Sequence, residues 1–169
     1  RYLWLYGLHP KASYVVPPPL NLSLLEQHRG NTPKTNDLIW CAEISFLKGY
    51  DLAIKWAENN NTRIDLYSPL MPPNITLGSP HVTVKGTIPP KDWYTEFASY
   101  RRYVHIPRQV EVLPLAALEA YLLGLEVIVQ GRLGLESFGV PLNEVALLCG
   151  RGIEQFWDLA LKHFMGKSL

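Results

Sequence analysis

The chain has 169 residues, 47% of them hydrophobic and 18% charged, with 16 basic groups against 15 acidic ones. That length suits one ordinary domain that buries its core without metals or disulfides, and the even charge balance excludes a disordered chain. It also gives no electrostatic footprint for nucleic acid or any other polyanion.

Residues 1–30 read as a linker and first strand, with Tyr14 to Val16 extended and stopped by Pro17, Pro18 and Pro19, since proline cannot donate to a ladder. The core is expected over residues 36–140. Its first strand is DLIWCA, Asp37 to Ala42, followed by a helix over Tyr50 to Asn59 with Leu52, Ala53, Trp56 and Ala57 on one face. Ile64 to Tyr67 is the next strand, and after a Pro-rich loop from Pro69 to Pro80, Val82 to Val84 makes another, ending before Gly86. A helix from about Asp92 to Arg101 begins with an N-cap candidate, which makes Arg101-Arg102 its solvated C-terminal end.

Tyr103 to Ile106 is a further core strand. Pro114 then opens a helix that runs to Leu123 and stops at Gly124, and Glu126 to Gln130 is a strand. A last helix, about 153–165, places Phe156, Leu159, Ala160 and Phe164 on one side. This rhythm of strand and helix predicts an α/β domain with a parallel sheet covered on both faces.

Cys41 and Cys149 lie in apolar stretches, far apart and without CxxC spacing, and read as buried thiols of a reducing, cytoplasmic compartment. N-x-S/T triplets at Asn21, Asn60 and Asn74 have no secretory signal ahead of them and read as coincidence. No run of about 18 apolar residues appears, so no membrane-spanning helix is expected. The chain opens on Arg1 within an apolar segment, as expected of a piece of something longer.

In an open parallel sheet, ligands bind beyond the carboxyl ends of the strands. Three loops there carry the candidate chemistry: residues 43–49, 108–113 and 131–139. Glu111 stands in the second, and Glu119 is the only charged side chain from Val112 to Leu125. Such a carboxylate is either exposed or held by a specific partner, because burying it alone costs several kcal/mol. A carboxylate accepts hydrogen bonds from two hydroxyls at once, so the E-x7-E pair suits a polyol such as a sugar and a ribose. The spacing equally fits a loop carboxylate favoured by a helix dipole plus a solvent-facing glutamate. His105, on the strand before the loop, could meet a phosphate or be a satisfied core residue. No His/Cys/Asp cluster has metal spacing and no GxGxxG follows a strand, so neither a metal nor a dinucleotide cofactor is expected.

The segment VEVLPLAALEAYLLGLEVIVQGRLGLES resembles the signature of the group 1 glycosyltransferases, the large retaining family (family 4 type) whose pattern runs E-G-F-G-L-x-x-L-E-A-x-A-x-G-x-P-V-I and then G-G-x-x-E. Glu111, Leu115, Leu118, Glu119, Ala120, Gly124, Val127, Ile128, Gly134 and Glu136 occupy the matching positions. Three further segments match in the same order. LHPKASYVVPPPLNLSLL resembles the family's linker and first strand, DLIWCAEISFLKGYDLAIKWA its strand and phosphate loop, and VTVKGTIPPKDWYTEF its V-x-F-x-G-x-V stretch.

The resemblance implies a Rossmann-like, doubly wound sheet forming the C-terminal half of a two-domain (GT-B) enzyme. It implies a hexosyl donor bound as a nucleotide sugar, with an N-terminal acceptor-binding domain outside this chain. Any contact with a sugar or lipid-linked acceptor, or with a membrane surface, would belong to that domain, and this chain alone would bind without turning over. By the match, Glu111 bonds the transferred sugar, Glu119 holds the ribose, and Lys48 neutralises charge on the departing diphosphate. Gly86, Leu113, Pro114 and Leu115 would face the donor. Two departures stand out: Glu43 replaces the family's arginine ahead of the lysine, and V-L-P replaces G-F-G between the glutamates. Glu43 removes a bidentate phosphate ligand, for which Arg108 and Arg132 on the neighbouring loops are candidate substitutes. The alternative is a degenerate member that keeps the fold as a binding or scaffolding module.

Overall fold

The computed structural model describes residues 20–69, 77–109, 111, 114–130, 144, 149 and 151–165. Expectations for Tyr14 to Val16, Leu113, Arg132 and the loop 131–139 lie outside the described residues. The chain divides into two compact units, one of residues 21–147 and one joining residues 1–20 to 148–169.

The larger unit is built on a five-stranded, all-parallel sheet of β1 (Asn36–Cys41), β2 (Ile64–Tyr67), β3 (Val82–Gly86), β4 (Tyr100–His105) and β5 (Glu126–Val129), in the order β3-β2-β1-β4-β5. Among the described residues it is accompanied by the helices α1 (Leu22–His28), α2 (Tyr50–Asn59), α3 (Trp93–Ala98) and α4 (Leu115–Leu122). One face of the sheet presents Leu38, Trp40, Ile64, Leu66, Val104 and Ile106 to Ala53 and Ala57 of α2, with Leu52 and Trp56 packed at the edge. Burying each aliphatic side chain of that size contributes about 2 kcal/mol. On the opposite face Phe97 of α3 meets Tyr103 edge-on at 5.5 Å, and Tyr103 stacks against His105. Helices on both faces explain why Leu38 to Cys41 of β1 and Tyr103 to His105 of β4 are buried without interruption, where a half-exposed strand would alternate.

The boundaries of α2 and β2 fall where the apolar periodicity places them. Asn21 caps α1 with a side-chain oxygen that accepts from Leu24 N, and Gly124, at φ +78°, ends α4 in the conformation glycine tolerates best.

One sequence expectation is corrected. The helix drawn from Asp92 to Arg101 ends at Ala98, and Arg101 and Arg102 lie on β4. The chain turns at Ser99, whose carbonyl and hydroxyl both accept from Asn36, and this anchors the start of β4 beside β1. Arg102 is no solvated helix end: its guanidinium donates to Asp37 and Thr62 and lies 5.7 Å from the centre of the Trp56 ring. Sheet pairing overrode a local pattern that six residues of helix were too short to defend.

In the smaller unit, α5 (Gly152–Met165) is a 14-residue helix, and Leu20 N donates to Cys149 O at 3.0 Å. Cys41 and Cys149 are both free and buried, and burial pushes both thiols up. Among the described residues no helix is long and apolar enough to cross a membrane.

Candidate functional site

The strand order places β1 and β4 side by side while the chain leaves them in opposite directions, through β2 to β3 on one hand and to β5 on the other. The crevice beyond their carboxyl ends is where an open parallel sheet receives a ligand. Two loops meet there, and Lys48 and Glu111 come from one each.

The loop after β1 folds into a single 3₁₀ turn, Phe46–Lys48, with the Ser45 hydroxyl accepting from Lys48 N. Gly49 closes the turn at φ +68°, and a Cβ there would stand 1.9 Å from the Ile106 carbonyl oxygen. Only glycine allows this loop to press against the end of β4. From the other side Arg108 N donates to Leu47 O at 2.9 Å. The Arg108 guanidinium donates to Phe46 O and to both carboxylate oxygens of Asp51, and lies over the Phe46 ring at 3.8 Å. The two loops are thereby clasped.

The clasp brings Lys48 Nζ to 2.6 Å from Glu111 Oε1. Gln109 Nε2 donates to the same oxygen at 3.3 Å, which leaves Glu111 Oε2 open among the described residues. Burial pushes the Glu111 carboxyl up, but donation by Lys48 and Gln109 and the Lys48 charge outweigh it and hold the group below its ordinary value. His105 lies nearby, buried, with Tyr103 Oη 3.5 Å from Nδ1 and no partner for Nε2 among the described residues. Burial lowers its pKa, Glu111 opposes that, and Lys48 adds to it. The core reading of His105 therefore holds for its ring and fails for one of its nitrogens.

Glu119 sits on α4 between the buried Leu118 and Ala120 and is itself half-buried. Its Oε2 accepts from Trp93 Nε1 and its Oε1 from Tyr94 Oη, each at 3.1 Å. The solvent-facing alternative is thus replaced by a held carboxylate. Desolvation raises its pKa, and the two donations only partly counter it. Each oxygen keeps a second lone pair for a further donor.

Beside this pair opens a cavity of about 310 Å³, lined by residues 41–43 after β1, 67–69 after β2, 86–88 after β3, and Trp93. Glu43 and Gly86 are therefore together on its wall. Pro114 is buried just ahead of α4, and Leu115 stands exposed at the first turn. Trp93 joins the cavity to Glu119, touching one with its ring and the other with its N–H.

Sequence reasoning missed Trp93 and Tyr94. The signal was the WY doublet opening α3, two aromatic groups whose N–H and O–H need acceptors once they are half-buried. It also missed the network beneath the cavity. There Tyr67 donates to Glu96 at 2.5 Å, Tyr100 donates to Asp65 at 2.6 Å, and the two hydroxyls lie 3.1 Å apart. Burial first, and the neighbouring carboxylates next, push both phenols far up, so they stay protonated donors.

No protein-family model matches the chain, and no curated protein matches its sequence. Solved structures do. AviGT4, a glycosyltransferase involved in avilamycin A biosynthesis, aligns with a TM-score of 0.69 at 17% identity, over 94% of this chain and 60% of that one. A pneumococcal O-GlcNAc transferase, GtfA, solved with UDP and GlcNAc, aligns at 0.49 and 16% identity over 75% and 30%. An α-glucosyltransferase solved with UDP-glucose and DNA containing an abasic site aligns at 0.49 and 12% identity over 95% and 57%. The first alignment carries the argument, and this chain spans about 60% of the length of that protein. Parallel sheet, flanking helices and this alignment together give the chain the α/β, Rossmann-like fold of the GT-B glycosyltransferases.

Proposed function

We propose that this chain is the donor-binding half of a retaining glycosyltransferase that takes a nucleoside diphosphate sugar. The observation that supports it best is the Lys48–Glu111 pair at the mouth of the β1/β4 crevice. A cation that must face a leaving diphosphate and a carboxylate that must face a sugar hydroxyl sit within one hydrogen bond of each other. In this reading the open Glu111 Oε2 accepts from the transferred sugar, and Glu119, aimed by Trp93 and Tyr94, accepts from the ribose. The Lys48 charge opposes the negative charge that builds on the diphosphate as the glycosidic bond breaks. Departure then requires no metal. The departing phosphate assists attack by the acceptor from the same face, so configuration is retained, and the acceptor is held by a second domain in the cytoplasm.

In the same reading Arg108 acts on the loop and not on phosphate, since Asp51 already holds its guanidinium. Arg132 remains the candidate phosphate ligand. A second reading, a binding or scaffolding module that has lost donor chemistry, is favoured by Glu43 and by the fact that Lys48 and Arg108 are both already neutralised by carboxylates.

Calorimetry of the folded chain with UDP-, GDP- and ADP-glucose separates the two. Donor binding predicts micromolar heats for at least one, weakened about tenfold or more by Lys48→Ala and by Glu119→Gln, as expected on losing a charged hydrogen bond. A folded chain that binds none of them is the scaffold.

A further inference from the structure

The cavity beside Glu119 has one wall group whose role the proposed function leaves open. Glu43 is exposed on the cavity wall, and no described residue pairs with it. The other polar side chains there are largely spent. The Tyr67 hydroxyl is donated to Glu96, the Ser68 hydroxyl accepts from Ile44 N, and Trp93 Nε1 is donated to Glu119. Thr87 adds a neutral hydroxyl, and Ile88, Pro69 and Cys41 are apolar. Among the described residues a ligand entering this cavity therefore meets apolar walls and a single charge, a carboxylate that can only accept hydrogen bonds.

We propose that Glu43 reads the base of the donor nucleotide and selects guanine. The inference rests on the donor-binding reading and names the donor class within it. Guanine carries its N1–H and its exocyclic amine on one edge, side by side, so the two donors meet the two oxygens of one carboxylate. No other common base does this. Uracil sets its N3–H between two carbonyls, adenine sets its amine beside ring acceptors, and cytosine sets its amine beside N3. Each would turn a lone pair towards the Glu43 charge, and that repulsion, set against the two charge-assisted donations guanine makes, is what discriminates at this exposed carboxylate. The cavity is large enough to hold a purine. With the base there and Trp93 between it and Glu119, the ribose falls next to the carboxylate assigned to it. Glu43 thus has a use where a carboxylate would only repel a diphosphate.

The test is calorimetry of the wild-type chain with GDP, UDP, ADP and inosine diphosphate, repeated with Glu43→Gln after circular dichroism confirms that the variant is folded. The expected result is GDP at least tenfold tighter than UDP or ADP. Inosine diphosphate, which keeps N1–H and lacks the amine, should be weaker than GDP. Glu43→Gln should weaken GDP about tenfold and leave UDP unchanged or improved. UDP or ADP binding as tightly as GDP, or Glu43→Gln leaving GDP unchanged, overturns the base assignment while the donor-binding function stands. No binding of any nucleotide overturns both.

Discussion

Glu119 was conspicuous as the one charge in an apolar run, and its surroundings show what isolation in sequence means physically. The carboxylate is held by two aromatic donors and still titrates above its ordinary value, because desolvation exceeds what Trp93 and Tyr94 return. A carboxyl that binds its proton more tightly in the folded than in the unfolded chain makes ionisation costly to the fold. Stability contributed by this group is present below the ordinary carboxylate value and is lost as pH rises through the raised one. Glu119→Gln should remove that loss, so urea denaturation from pH 4 to 7 should show the variant gaining on the wild type as pH rises. A constant difference would mean that the carboxylate is not desolvated as described. Nothing in the sequence around Glu119 named its partners, which lie 25 and 26 positions earlier. Its isolation raised the question, and only the hydrogen bonds that α3 makes to α4 through Trp93 and Tyr94 answered it.

At the scale of elements, the loops matter more than the strands they follow. Phe46–Lys48 and the loop after β4 form a clasp in which Arg108 holds Asp51 and the Phe46 carbonyl, and the consequence is the position of Lys48. Arg108→Gln should therefore move a group that Arg108 does not touch. With the clasp opened, Lys48 is no longer held at 2.6 Å, and the Glu111 carboxyl should titrate closer to its ordinary value. Carboxyl carbon NMR of Glu111 across pH 2 to 7 reads this directly, and Arg108→Lys should restore part of the shift. An unshifted Glu111 titration in Arg108→Gln would show that the turn holds Lys48 without the clasp. Element identity was legible where a long amphipathic pattern was bounded by its own stops, as in α2 with Gly49 before it and Asn60 after. It failed at α3, where six helical residues gave way to the demand of β4 for a place beside β1. The clasp itself was not legible, because no local pattern states that an arginine will reach an aspartate 57 positions away.

Over the whole larger unit, the sheet order turns two distant loops into neighbours. The rhythm of strands and helices announced a parallel sheet, but which strands lie side by side follows from connections and packing that a single sequence does not display. Once β4 returns beside β1, residues 63 positions apart share a hydrogen bond, and the Lys48–Glu111 pair becomes a link between the halves of the sheet on either side of the β1/β4 junction. Side chains that are 29% and 14% exposed are neither freely solvated nor fully desolvated, so the pair should be worth more than a surface contact and less than a buried one. A coupling of about 1 kcal/mol is expected. Urea denaturation of Lys48→Met, Glu111→Gln and the double variant closes the cycle, and the double variant should be less destabilised than the two singles added together. Each single change strands one polar or charged group in the crevice, whereas the double change removes the mismatch, which is why the deviation should have that sign. Strict additivity would mean that the loops meet without holding each other, and that the crevice is shaped by the strands and the Arg108 clasp alone.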